Sequence, residues 1–347
     1  MEYSVLGQTS LRVSKICLGT MTFGEQNTEA EGHWQMDYAL DQGVNFFDTA
    51  EMYPVPSRQE TQGTTERIIG SWFASRGNRD RVILASKATG PGASFRYLRD
   101  PLDFSPRQIR AALEGNLQRL QTDYIDIYQL HWPERQMNMF GVRGYPAEKQ
   151  DHWQDNFLEV LQTMDALIKE GKIRHWGVSN EAAWGVMRIL HLAEIHGLPK
   201  PVTIQNPYNL LNRTYEIGLA EVSMREAVGL LAYSPLAFGV LSGKYDEQGA
   251  DLSRARLTLF KQYTRYNAGG AQAAAREYVQ IARQAGLRPV QMALAFVHSR
   301  PFLTSNIIGA TTMEQLEENI ASIHTVLSPE VLQAIEEVQR RMPDPSC

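Results

Sequence analysis

The chain has 347 residues, 43% hydrophobic and 21% charged, with 26 Gly, 16 Pro and a formal net charge of −5. That composition excludes disordered and fibrous classes, and an acidic balance with no basic run longer than Arg340-Arg341 gives no footprint for nucleic acid. No stretch approaches 18 consecutive apolar residues, MEYSVLGQTS lacks the build of a secretory signal, and Cys17 and Cys347 cannot form a disulfide framework, so a soluble cytoplasmic protein without membrane partners is expected.

In chain order, Tyr3–Leu6 and Arg12–Ile16 flank Gly7-Gln8-Thr9-Ser10 and read as a hairpin. Eight short apolar runs then read as strands: Ile16–Leu18, Asn45–Asp48, Val82–Lys87, Ile125–Leu130, His175–Ser179, Thr203–Gln205, Leu230–Tyr233 and Asn306–Ile308. Segments with helical spacing separate them: Glu29–Gln42, Thr64–Ser75, Pro106–Leu120, Leu158–Lys169, Glu181–His196, Tyr215–Glu226, Ala271–Ala285 with Pro289–His298, and Met313–Ser322. Ser105 before Pro106, and Thr312 three residues before Gln315, are helix-start signals. Strand and helix alternating eight times imply parallel pairing, and runs such as VILA and IDIYQL, apolar without alternation, imply strands covered on both faces. The expectation is an α/β fold, a closed (β/α)8 TIM barrel with the hairpin plugging its bottom, as one domain over residues 1–347.

Three connections are longer than ordinary strand-to-helix turns: Ala88–Ser105, Trp132–Asn156 and Leu236 to about Gly270. All follow strands, which places them at the C-terminal face, where barrel enzymes keep their chemistry. Nucleotide-loop motifs are absent in their strict forms. Gly19 and Gly24 lack the G-x-G-x-x-G spacing, Gly90-Pro91-Gly92 lacks the third glycine, and LAFGVLSGKY has Tyr245 where a P-loop needs Ser or Thr. His191 and His196 lie about 140° apart around one helix, so they cannot grip one ion, and no metal is expected.

Polar residues at the strand ends carry more information. Asp48 closes NFFD with Tyr53 five positions on, Lys87 closes VILASK, and His131 follows IYQL. Singly, Asp48 and Lys87 read as a structural ion pair, His131 as an interior histidine and Tyr53 as a loop aromatic. Together on neighbouring strands they read as a general-acid device, because a cation beside a phenol of reference pKa about 10 makes its proton easier to give.

These residues lie within CLGTMTFGEQN, GTTERIIGSWF, LQRLQTDYIDIYQLHWP, GKIRHWGVSNEAAWGVM, TIQNPYNLLNR, LLAYSPLAFGVLSGKY and IIGATTMEQLEENI. On these motifs nearly the whole chain resembles the aldo-keto reductase superfamily, most closely its bacterial Tas-type NADP(H)-dependent branch, which is related to potassium-channel β-subunits. The resemblance implies that Tyr53 protonates a carbonyl oxygen, Lys87 with Asp48 lowers its pKa, and His131 orients the substrate oxygen. It further implies that Ser179, Asn180 and Gln205 grip a nicotinamide carboxamide while Tyr233 stacks on the ring. Ser234, Pro235, Leu236, Ala237, Gly239, Leu241 and Lys244 would surround the pyrophosphate. Gly309 and Thr311 would lead into a helix N-terminus, with Gln315, Glu318 and Asn319, that receives the adenosine-ribose phosphate through free amides. GATTMEQLEEN lacks the Lys and Arg that the better-known branch uses to choose NADP, so those cations must come from Lys244 or from the segment that holds Arg254 and Arg256, as the resemblance to the channel subunits implies.

The implied function is NADPH-dependent reduction of a small aldehyde or ketone. The alternative is a cofactor-binding redox-sensing or regulatory module with slow residual reductase activity, against which stands His131, a position where the channel subunits depart from histidine. Phe95, Tyr97, Trp132, Trp153 and Phe157 are expected as substrate walls and Arg96, Arg99 and Arg135 as a polar rim. Homo-oligomerisation is left open.

Overall fold

A hairpin of β1 (Tyr3–Val5) and β2 (Arg12–Ser14), antiparallel, precedes the barrel as expected. Its turn uses Gly7 at φ 53°, and the Thr9 hydroxyl donates to the Leu6 carbonyl at 2.7 Å. The computed structural model describes residues 1–142, 144–145, 152–267 and 269–346; Cys347 and part of the Trp132–Asn156 connection lie outside the described residues.

Eight parallel strands follow: β3 (Ile16–Gly19), β4 (Phe46–Asp48), β5 (Ile83–Ala88), β6 (Ile125–Leu130), β7 (Ile173–Ser179), β8 (Thr203–Pro207), β9 (Gly229–Tyr233) and β10 (Leu303–Ile308). Each pairs with the next, and β10 returns to β3, closing the (β/α)8 barrel. Cys17, Phe46, Ala85, Ile127, Leu231 and Ile307 form one buried cluster with Leu6 and Val13 of the hairpin, so the hairpin completes the interior packing. Alternate strand residues such as Leu18, Phe47, Leu84, Tyr128 and Trp176 join a second cluster with Trp72, Ile109, Leu161 and Ile189 of the surrounding helices. Burial on both faces accounts for the unbroken apolar runs.

Helix positions follow the sequence reading to within about two residues, with some differences, among them a short helix, Arg256–Leu259, inside the connection that follows Leu236. The expected helix Tyr215–Glu226 is a 3-10 turn, Thr214–Ile217, and a separate helix, Leu219–Glu226. Gly218, at φ −150° and ψ −44°, divides them, consistent with its low helix propensity. Ser105 occupies the cap position before Pro106, but its hydroxyl bonds Asp103 Oδ1 at 2.5 Å instead of capping. A further helix, Pro329–Arg341, buries Val331, Ile335 and Val338 and is capped by Ser328. Among the described residues no helix is long and apolar enough to cross a membrane.

Buried ion pairs hold two of the long loops down. Arg99 reaches both oxygens of Glu51, which also accepts from the Thr89 amide, tying Ala88–Ser105 to the segment after β4. Arg135 reaches both oxygens of Glu181, just beyond β7, with side chains 10% and 4% exposed. Trp153, Phe157 and Trp184 surround that guanidinium at 5.9, 5.7 and 5.0 Å. These contacts correct the expected substrate site: Arg99 and Arg135 are consumed by carboxylates, and Trp153 and Phe157 enclose Arg135. Only Arg96 of the three expected rim arginines is exposed.

Helix Thr64–Arg76 packs against Pro106–Leu120 through Gly70, where a Cβ would press into the Arg119 carbonyl. Gly70→Ala is therefore expected to destabilise by about 1–3 kcal/mol through overpacking, read as a lower urea midpoint at unchanged slope. Arg135→Met should cost about 3–5 kcal/mol by stranding the Glu181 charge, whereas the double replacement Arg135→Met/Glu181→Met should recover much of the loss. Equal urea midpoints for the single and double variants would contradict that account.

Candidate active site

Barrel closure brings the ends of β4, β5, β6, β7, β8 and β9 around one opening. Lys87, fully buried on β5, donates to Asp48 Oδ2 at 2.6 Å and to the Thr49 carbonyl at 2.8 Å. Asp48 Oδ1 accepts from Gln205 Nε2 on β8 at 2.8 Å and from Gln129 Nε2 on β6 at 3.4 Å. An ion pair without water is stable only when its remaining valences are filled in this way. Gln129 was not anticipated, although it is the polar residue inside the otherwise apolar strand IYQL.

Tyr53 stands in the loop after β4 with its ring centroid 5.0 Å from Lys87 Nζ and 5.9 Å, edge-on, from the His131 ring. The four expected residues thus converge. Their electrostatics differ from the expectation in one respect: burial raises the Tyr53 phenol above its usual pKa, and the Lys87 charge and hydrogen bond offset this only in part, while Asp48 adds to the rise. Burial opposes the Lys87 ammonium, but Asp48 and Tyr53 outweigh it and hold its pKa above the usual lysine value. Burial, and then Lys87, push His131 well below the usual histidine value, so its ring is neutral at neutral pH. Its Nδ1 is buried without a hydrogen-bond partner among the described residues.

The expected carboxamide residues form a connected group. Ser179 donates to the Gln205 carbonyl at 2.8 Å, and Asn180, at φ 55°, donates to the His131 carbonyl at 2.9 Å. Tyr233 Oη donates to Asn180 Oδ1 at 2.6 Å, and burial raises its pKa to about 12.

Beyond β9, Ser234, Ala237, Phe238 and Gly239 are all left-handed, at φ 55°, 49°, 57° and 87°. Pro235 and Leu236 stand within this tight turn. Three amides of the expected phosphate cradle are used inside the loop: Ala237 bonds the Ser234 carbonyl, and Gly239 and Leu241 bond that of Leu236. Gly239 is favoured by its backbone, because φ 87° is a conformation that residues with a Cβ rarely adopt. Lys244 and Arg256 are half-buried neighbours, and no described carboxylate forms an ion pair with either. Burial and the adjacent Arg256 lower the Lys244 pKa, as expected of a cation lacking an anion.

Arg254 is exposed and donates to the Gln26 carbonyl at 3.1 Å, while Gln26 Nε2 donates back to the Arg254 carbonyl at 3.1 Å. Arg254 borders a depression of about 230 Å³, lined also by Asn27, Glu31, Trp34, Thr311 and Glu314. The expected free amide at Thr311 is not free: its N–H donates to Gln315 Oε1 at 3.0 Å. Gln315 N in turn bonds the Thr312 hydroxyl at 3.3 Å, and Asn319 Nδ2 bonds the Gly309 carbonyl at 3.1 Å. Glu318 pairs with Arg288 at 2.7 Å, so a cation does stand beside this helix, supplied by its neighbour.

An apolar wall faces Tyr53. Trp132, 5% exposed and donating to the Pro91 carbonyl at 2.9 Å, packs with Tyr53, Ala50 and Met52, against Phe95 and Met139. Gly90 lets it in, since a Cβ there would meet Trp132 at 2.6 Å; the glycines of Gly90-Pro91-Gly92 belong to this packing. Arg265, absent from the sequence reading, stands 3.5 Å from Tyr233 Oη. A lone arginine in YTRYN carries no motif that would single it out.

Residues 15–340 match the Aldo/keto reductase family. The chain is 53% identical to "Protein tas" of Escherichia coli (strain K12) over 346 residues, covering 98% of each. It is 34% identical to "Uncharacterized oxidoreductase YrpG" of Bacillus subtilis (strain 168), over 97% of this chain and 96% of the relative. It is 29% identical to "Putative voltage-gated potassium channel subunit beta" of Schizosaccharomyces pombe, over 97% and 93%. With a closed eight-stranded barrel, a family match over nearly its full length and a half-identical relative, this chain belongs to the aldo/keto reductase family and is an oxidoreductase.

Proposed function

We propose that the chain, acting as one unit over residues 1–347 and in the cytoplasm, reduces aldehydes or ketones to alcohols with NADPH. The observation that carries this reading is the convergence of Tyr53, Lys87, Asp48 and His131 at the barrel mouth. Bound there, a reduced nicotinamide supplies the hydride that adds to the carbonyl carbon. Tyr53 supplies the proton that the developing oxyanion needs, so hydride and proton together convert carbonyl to alcohol. Lys87 favours the phenolate left behind, and Asp48 keeps Lys87 in place. Neutral His131 donates one hydrogen bond to the same oxygen without competing as an acid. A donor pair aimed where charge develops stabilises the transition state more than the ground state.

The residues fit a dinucleotide phosphate. Lys244 and Arg256 are cations without an ion-paired carboxylate among the described residues, beside a left-handed turn, and they suit the pyrophosphate with Ser234 to Leu241. Ser179, Asn180 and Gln205 offer both donors and acceptors to a carboxamide, and the face of Tyr233 suits the nicotinamide ring. Arg254, on the depression bordered by Thr311, suits the 2′-phosphate. Arg288, Gln315, Glu318 and Asn319 shape the helix beside it.

Tyr53→Phe is expected to lower kcat for carbonyl reduction by about 10²–10⁴-fold with NADPH affinity nearly unchanged. Reduction needs the protonated phenol, so kcat/KM should be flat across neutral pH and fall as alkaline pH passes the Tyr53 pKa. Lys87→Met removes the cation that lowers that pKa, and should move the fall to higher pH as well as slow the reaction. Wild-type rates for Tyr53→Phe would exclude it as the acid.

NADPH should bind more tightly than NADH, by about tenfold, because a charge-assisted bond is worth about 1.5–3 kcal/mol and Glu31 and Glu314 line the same depression and oppose the phosphate. Arg254→Ala should erase the difference by weakening NADPH alone. Equal dissociation constants in fluorescence titration of the wild type would refute the NADP preference.

A further inference from the structure

Several little-exposed arginines among the described residues are neutralised. Arg99 meets Glu51, Arg119 meets Glu66, Arg135 meets Glu181, and Arg213 meets Glu216 and Glu336. Arg265 is half-buried too, yet its partners are neutral: Tyr233 Oη at 3.5 Å and the rings of Phe140 and Tyr266 at 5.6 and 6.0 Å. No described carboxylate pairs with it. Tyr233, its pKa raised to about 12, is a dipole and not an anion at neutral pH. A guanidinium withdrawn from water without an anion is an unmet charge, and its planar fork matches a carboxylate.

Its location says which anion. Phe140, beneath Arg265, meets Trp132 edge-on at 5.9 Å, and Trp132 lies 4.9 Å from the His131 ring. On the other side Tyr233 bonds Asn180, which bonds the His131 carbonyl. Both chains of contact start at His131 and meet at Arg265, so the guanidinium stands on the rim of the opening that holds Tyr53 and His131. The cofactor phosphates are already matched by Lys244, Arg254 and Arg256, leaving Arg265 to the substrate.

We propose that Arg265 is a specificity-determining residue that pairs with a carboxylate on the carbonyl substrate, making the substrate class an oxo acid whose carboxylate lies a few atoms from the reducible carbonyl. This rests on the reductase reading above. The apolar wall of Trp132 and Phe140 would cover the linking carbons.

The test compares 2- and 4-carboxybenzaldehyde, each with its methyl ester, with NADPH as reductant. The wild type should favour at least one acid over its ester by about 10- to 100-fold in kcat/KM, mainly through KM. Arg265→Gln should bring that ratio near one, and Arg265→Lys should keep part of it; the ratio is internal to each variant, so general loss of activity does not mimic the effect. No acid preference in the wild type, the same ratio in Arg265→Gln, or weakened NADPH binding with the ratio intact would overturn the proposal. If the wild type binds NADPH but reduces none of the four, the reductase reading fails by itself. Titration of benzoate into the NADP+ complex, followed by protein fluorescence, then decides Arg265 separately: weaker binding in Arg265→Gln supports the anion site, and equal binding overturns it.

Discussion

A lysine ammonium with no exposed surface, 2.6 Å from a carboxylate that is only 3% exposed, is the interaction around which the rest of this barrel mouth is arranged. Removing both charges from water costs several kcal/mol per ion, and the pair survives only because its other valences are filled. Thr49, Gln129 and Gln205 fill them, so the ends of β4, β5, β6 and β8 are bound to one charge pair. Lys87 has three donors, and two are taken by Asp48 and Thr49. The third direction is left for Tyr53, so in the proposed reaction a structural ion pair and a proton-donating device would be the same object.

Burial then sets the character of each group. Desolvation keeps the Tyr53 phenol protonated and His131 neutral, and the Lys87 charge moves both in the direction of losing a proton. In the proposed reaction this means an acid that holds its proton until negative charge develops beside it, and a neighbour that donates a hydrogen bond without titrating. The apolar side formed by Trp132 strengthens such electrostatics by excluding water.

Cations in this chain divide by partner. Arg99 and Arg135 meet carboxylates and fasten long loops to the barrel, and their aromatic neighbours serve the same end. Lys244, Arg256 and Arg265 meet aromatic rings and hydroxyls instead. Charge left unbalanced in a folded protein is a better sign of ligand binding than charge as such.

Local pattern was enough for the strand and helix order, the closed barrel, the hairpin and the positions of Asp48, Lys87 and His131, because apolar runs and the polar residues that end them are contiguous in the chain. The same locality shows where it stops. Whether Arg135 faces a substrate or Glu181 depends on a partner 46 residues away, which local pattern does not carry. Whether the Thr311 amide is free depends on the rotamer of Gln315, and the sign of the shift at Tyr53 depends on how deeply the loop buries it. Gln129 and Arg265 gain their meaning only from neighbours on other elements. Periodicity records which residues face inward; it does not record which charge meets which across the barrel, because that pairing is set by desolvation once the fold has closed.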